Sequence, residues 1–258
     1  MKKMLFPCIF VSFVFLSACV IAVVDYPYAG GRWTPRSSFS RTLSLKPGGT
    51  VSLENASGNI EIEGWDQEQV EVFAEERRNY PLPRRLHVST LRQPDLKIQI
   101  KTTPDSISVE TDPAIQKEEA RLVNYVLRVP QSTHLRSLRS RSGDISIADL
   151  YGSIDVDLGE GTIRIDNFSG SVDIRLGNGD VEAELLDLRP EDEVRITTEQ
   201  GDIRLYLEPQ ASIRLEASAP RGSVLSDFDL GKEEDPAQKT RLSLSALNGD
   251  IRIKKGKE

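Results

Sequence analysis

The chain has 258 residues, with 33 Lys and Arg against 40 Asp and Glu, for a net charge of −7 with neutral histidines. That acidic balance argues against nucleic acid as a partner and against electrostatic adhesion to anionic lipid. Both cysteines, Cys8 and Cys19, fall near the start, so the rest of the chain has no thiol catalysis, thiolate metal site or disulfide framework.

Lys2 and Lys3 precede "MLFPCIFVSFVFLSA", an apolar run ending in small residues, which is the pattern of an export signal. It closes at "LSAC", Leu16 to Cys19, which resembles the bacterial lipobox. That resemblance implies cleavage after residue 18, a lipid on Cys19, and anchorage in a membrane through that lipid. Loss of Lys2 and Lys3 then takes the net charge from −7 to −9. The rival reading is an uncleaved anchor, because about twenty residues from Leu5 carry no charge. Either way the protein is exported and tethered. Val20 lacks the aspartate that favours inner-membrane retention in enterobacterial lipoproteins, which points to the outer membrane if the source is Gram-negative.

Residues 19–40 mix Gly, Pro, Ser and aromatics without a strand or helix period and read as a lipidated tether. Residues 41–258 then read as one β domain. Alternating pairs at Val51/Leu53, Ile60/Ile62 and Val70/Val72 mark short strands. "DLKIQIKT" and "SISVET", joined by Thr-Pro-Asp-Ser at 103–106, form a predicted hairpin. "DPAIQKEEARLV", Asp112 to Val123, is the one stretch with a helical period.

From Ser142 a beat takes over. Gly143, Gly152, Gly161, Gly170 and Gly179 are nine residues apart, and each opens an alternating run. One set of runs holds Ile145/Ile147, Ile163/Ile165, Val181/Ala183, Ile203/Leu205, Val224 and Ile251/Ile253. The other holds Ile154/Val156, Val172/Ile174, Val194/Ile196, Ile213/Leu215 and Leu242/Leu244. Extra residues fall in polar or proline-containing stretches, as stacked repeats tolerate. The predicted fold is all-β: a single-chain β-solenoid (β-helix) with about 18 residues per coil, preceded by a short β-hairpin-rich region. Stacked in chain order, it has about six coils, with the lysines of "GDIRIKKGKE" guarding the last edge.

Three stretches together, "VSLENASGNIEIEGWDQEQVEVFAEER", "VNYVLRVPQSTHLRSLRSRSGDISI" and the "GDI"-led units that follow, carry a family resemblance. The chain resembles the bacterial putative-adhesin domain of unknown function, a repetitive β-helical domain of exported and lipid-anchored proteins. The resemblance implies an adhesin-like role, no catalytic residues and no ligand.

Outward residues at equivalent places stack between coils. Ser146, Arg164, Glu182 and Arg204 form a charge-alternating column. Asp155 and Asp173 stack like charges, as do Asp180 and Asp202. The Asp155/Asp173 pair is a candidate surface site for a glycan or, in the enzymatic alternative, a carboxylate pair acting on polysaccharide. That alternative also needs a cleft and aromatics, and Tyr151 and Phe168 are both placed at inward corners. Arg77, Arg78, Arg84 and Arg85 form an exposed basic loop, a second candidate surface. The calcium-repeat pattern fails, since apolar residues occupy its aspartate positions. His87 and His134 lack metal-ligand spacing, and no cofactor is expected. The expected function is a non-enzymatic envelope protein contacting a glycan or an envelope protein, with an envelope-stress scaffold as a further alternative.

Overall fold

A computed structural model describes residues 33–79, 96–112, 121–228 and 239–256. All belong to one compact unit built from β-strands alone. Cys19 and the signal segment lie outside the described residues. Among the described residues no helix is long and apolar enough to cross a membrane.

The chain opens with β1 (Trp33–Ser44), β2 (Thr50–Ser57), β3 (Ile60–Trp65) and β4 (Gln69–Asn79). There follow β5 (Ile98–Thr103), β6 (Ser106–Thr111), β7 (Arg121–Pro130) and β8 (His134–Ser142). The long strands β9 (Ile145–Glu160) and β10 (Ile163–Asn178) each bend around a corner and serve both faces. The remainder is β11 (Val181–Leu185), β12 (Glu193–Gln200), β13 (Ile203–Leu207), β14 (Ile213–Ser218), β15 (Val224–Ser226), β16 (Thr240–Asn248) and β17 (Ile251–Lys255).

Parallel pairing stacks these strands into two faces, so the predicted β-solenoid is the fold. In-register pairs set the repeat at 18 residues where no loop intervenes: Ile145 meets Ile163, and Ile154 meets Val172. Inward positions form continuous ladders. One runs Ile60, Ile145, Ile163, Val181, Ile203, Ile251, every member buried. Alternation demands this, because a one-residue slip would turn every apolar side chain to water.

The stacking order departs from chain order at both ends. β17 lies between β13 and β15, and β16 lies between β12 and β14. The C-terminal pair therefore fills a slot inside the stack, and β14 and β15 form the outermost rung. The same happens at the other end, where β2 and β3 sit between the β6/β7 rung and the β8/β9 rung. The result is eight rungs among the described residues, about 34 Å along the axis at 4.8 Å each. The six coils expected from Ser142 onward are present, but not in chain order, and the β2/β3 and β6/β7 rungs add two more. This order also displaces Lys254 and Lys255 from the edge: Lys255 instead places its ammonium 5.1 Å from the Phe228 ring centre. An equal repeat length at each slot lets any segment fit any gap, and local sequence cannot rank the gaps.

Three more expectations change. β4 leaves the beat and runs antiparallel between β1 and β7. Arg121 to Val123, assigned to a helix, begin β7, while residues 113–120 lie outside the described set. β1 starts at Trp33, inside the stretch read as tether. The 98–111 hairpin forms as expected, with Ile100 opposite Val109. Near this end a buried polar chain joins the Tyr125 hydroxyl to Thr111 at 2.7 Å and Thr111 to Asn55 at 3.1 Å. Burial pushes the Tyr125 phenol up to about 12 despite the Thr111 bond.

Candidate binding groove

Each coil turns at two corners, and they differ chemically. The first follows β8, β9, β10, β12 and β16, and is a column of glycines, each followed by a short polar residue, most often Asn or Asp. There Asp180 Oδ1 accepts the Asp202 N–H at 2.8 Å, and Asp202 Oδ1 accepts the Asp250 N–H at 2.9 Å. Asp250 Oδ1 accepts from Ser223 at 2.9 Å, and Asp144 Oδ1 from Thr162 at 2.9 Å. Each short carboxylate thus satisfies a turn amide one rung away. The Asp250 amide bond lowers the Asp202 pKa against the cost of burial, helped by Arg252 at 3.0 Å and by Arg204. These aspartates are occupied by their own scaffold.

The second corner is open. Asp149, Asn167 and Asp187 turn it in successive coils with φ of 58°, 51° and 47°, a left-handed conformation that short polar side chains tolerate. The Asn167 amide donates to Asp149 Oδ1. Inside this turn Leu150, Phe168 and Leu185 stack in register and are buried. They anchor the bend, so the polar residues beside them are held outward. Beside that stack runs a second column. The Tyr151 amide donates to the Gln131 carbonyl at 2.8 Å, Tyr151 is in register with Ser169, and Ser169 Oγ reaches the Asp187 carbonyl at 3.5 Å.

These columns line a groove of about 1090 Å³. Its walls add Ser132 from the turn before β8, His134 at the start of β8, Arg189 and Pro190 after β11, and Gln210 before β14. His134 Nδ1 is 2.9 Å from Ser153 Oγ, and Arg189 leans on Asp192 (3.4 Å) and Glu191 (3.6 Å). Tyr151 is 53% exposed, the one exposed aromatic ring among the described residues. This corrects the inward placement of Tyr151; Phe168, at the other expected corner, is inward. The two differ because the corner carries one buried residue per coil, and Leu150 fills that place in the Tyr151 coil. The beat located the corner but not which of its residues point outward.

The carboxylates singled out by sequence lie elsewhere. Asp155 and Asp173 are in register on adjacent coils, half-buried on an open face. Arg175 reaches both, at 3.8 Å and 2.9 Å, and Arg195 approaches Asp173 at 3.9 Å. The guanidinium between them offsets the like-charge repulsion. Neither residue lines the groove. Along the other column Arg164 meets Glu182 at 3.9 Å.

The basic loop also changes. Arg77 and Arg78 are residues of β4, not loop residues. Arg77 pairs with Glu75 at 2.6 Å. Arg78 is buried and pairs with Glu76, which also binds Arg121 at 2.8 Å and the Ser37 hydroxyl at 3.0 Å. Burial raises the Glu76 pKa, but bonds from Arg78 and Ser37 and the charge of Arg121 outweigh it and hold the carboxyl below its ordinary value. Arg84, Arg85 and His87 lie outside the described residues. Among the described residues no group of three His, Cys, Asp or Glu side chains could hold a metal ion.

The profile of the family described as Toastrack DUF4097 matches residues 49–254. The chain belongs to the Toastrack DUF4097 family. The match covers the solenoid from β2 into β17, including every residue of the groove except Gly48. The Toastrack assignment agrees with the resemblance read from the sequence, a β-solenoid domain of unknown function. Two solved structures are similar to this Toastrack chain. One is a putative cell adhesion protein from Clostridium sporogenes, 13% identical, spanning 86% of this chain and 100% of its own, with a TM-score of 0.43. The other is a putative adhesin from Bacteroides fragilis, 14% identical, spanning 85% and 97%, with a TM-score of 0.34. No curated protein matches the sequence.

Proposed function

We propose that this Toastrack protein is a lipid-anchored, non-enzymatic component of the cell envelope that offers its solenoid as an adhesin-like binding surface. The observation that carries the reading is the groove at the second corner. It crosses several rungs of one packed scaffold, presents an exposed aromatic and a mixed set of polar groups, and so has the shape and chemistry of a recognition site. Two of the three groove carboxylates serve as turn formers: Asp149 accepts from Asn167, and Asp187 holds a left-handed corner. Asp155 and Asp173, the best carboxylate pair for hydrolysis, are joined by Arg175 and do not line the groove.

The anchor rests on "LSAC" at Leu16 to Cys19 behind the Lys2/Lys3 and apolar segments. One lipid chain binds a membrane marginally and two bind stably, so a diacylated or triacylated Cys19 holds the domain at the envelope. The test is fractionation of cells making the full chain and its Cys19→Ala variant. The expected result is membrane-associated wild type, with the variant released or left unprocessed. Unchanged processing and membrane association in the variant would overturn the lipid anchor.

A second reading has its own observation. β14 pairs only with β16 and β15 only with β17 among the described residues, and Leu225 is 57% exposed beside Val224. An edge of this kind suits strand addition by an envelope protein. Crosslinking from position 225 in intact cells, yielding one discrete adduct, would favour it.

A further inference from the structure

We propose that the groove binds an uncharged oligosaccharide lying along the solenoid axis. This deepens the binding-surface reading and rests on it.

Three features select the ligand class. The first is repetition. Gln131, Tyr151, Ser169 and Asp187 stand on successive rungs, so similar polar positions recur about every 4.8 Å over about 14 Å. A repeating ligand matches a repeating wall, whereas a compact metabolite would touch one or two rungs. The second is mixed hydrogen bonding. Side-chain amides from Gln131, Asn167 and Gln210 both donate and accept, as do the seryl hydroxyls. Sugar hydroxyls need donors and acceptors at close spacing. The exposed Tyr151 ring adds a flat apolar surface for the C–H face of a pyranose.

The third feature is charge. Asp149, Asp187 and Glu208 line the groove against one arginine, Arg189, which is already engaged by Asp192 and Glu191. Uronic-acid, sulfated or phosphorylated polymers would be repelled from this wall. An uncharged chain loses nothing there, and each carboxylate can accept from a pair of sugar hydroxyls. The positioning is built in: the buried Leu150–Phe168–Leu185 stack holds the corner whether or not ligand is present.

The test is calorimetric titration of the full-length chain in neutral detergent with cellohexaose, maltohexaose and chitohexaose, with hexagalacturonate as the acidic comparator. At least one neutral hexasaccharide is expected to bind saturably, with affinity changing less than twofold on raising salt to about 0.5 M. Tyr151→Ala should weaken that binding at least tenfold, Tyr151→Phe should keep most of it, and Asp155→Asn should leave it unchanged. Tyr151 is exposed, so the alanine variant should melt as the wild type does, which separates lost contact from lost fold. The proposal is overturned if none of the three neutral sugars binds, if only the galacturonate binds, or if Tyr151→Ala binds within twofold of wild type.

The reducing ends of each bound sugar are counted in the same samples. Binding with cleavage would overturn the non-catalytic reading and leave the glycan groove standing. No binding by protein that still fractionates with the membrane through Cys19 would remove the glycan inference alone.

Discussion

The carbonyl oxygen of Gly161 stands 1.8 Å from the point where a β-carbon on Gly179 would lie. The same contact recurs between Gly143 and Gly161 (2.1 Å) and between Gly179 and Gly201 (1.9 Å). Backbone meets backbone here, so no rotamer change could make room. Gly143, Gly161 and Gly179 of the glycine beat trace this column, while Gly152 and Gly170 trace a second one at the other corner, where a β-carbon on Gly170 would lie 2.0 Å from the Gly152 carbonyl oxygen.

Gly179→Ala is therefore expected to be severely destabilising. It combines φ of 135° with a clash against a rigid carbonyl, and we expect a loss above about 3 kcal/mol. Gly48→Ala, where a β-carbon meets nothing within 4 Å, should cost only about 1–2 kcal/mol from its left-handed backbone. Urea denaturation of the two variants side by side checks the ranking, and equal losses would refute the column.

Glu76 predicts the acid limb of stability. Its folded pKa lies below the ordinary 4.5, so its contribution is complete above about 4.5 and is lost as pH falls through the depressed folded value. Glu76→Gln removes the charge between two buried arginines and should cost about 3–5 kcal/mol at neutral pH. The variant should also show a shallower fall of melting temperature below pH 4.5. A parallel fall in both proteins would mean another carboxylate governs acid unfolding.

Asp202 tests the turn ladder. Asp202→Ala removes the acceptor for the Asp250 amide and for Arg252, with an expected loss of about 1–3 kcal/mol. Asp202→Asn keeps an acceptor oxygen and should recover part of that loss. Thermal melts of the pair decide it: an asparagine variant no better than alanine would assign the stabilisation to charge rather than to the amide bond.

A chain ending at residue 238 lacks β16 and β17. Those strands bury Leu242, Leu244, Ile251 and Ile253 between the β12/β13 rung and the β14/β15 rung. Their loss opens a gap in the stack, so residues 213–226 should become sensitive to protease and their amides should exchange rapidly. If β14 and β15 simply close onto β12 and β13, protection would persist in the truncated chain, and the inserted strands would not be the lock.

Much of the fold was legible because alternation, glycine spacing and register are local in sequence. Ile145, Ile163 and Val181 announce one another at intervals of 18 residues, and their ladder follows. The groove was poorly legible for the opposite reason. Tyr151 and Phe168 occupy the same corner and were given the same orientation, yet one is exposed and the other buried. Arg78 looked like a loop cation because the carboxylate that holds it, Glu76, is buried only where β4 pairs with β7, whose Arg121, 43 positions from Arg78, binds the same carboxylate.

By itself the sequence determined the strand content, the coil length, the inward residues and the need for glycine at the first corner. Each follows from a period that neighbouring residues impose on one another. Only the tertiary structure decided which rung lies beside which, which edge stays open, and which polar side chains converge beside Tyr151. Those outcomes depend on pairings between distant segments of equal repeat length, and equal repeats carry no local mark of their place in the stack.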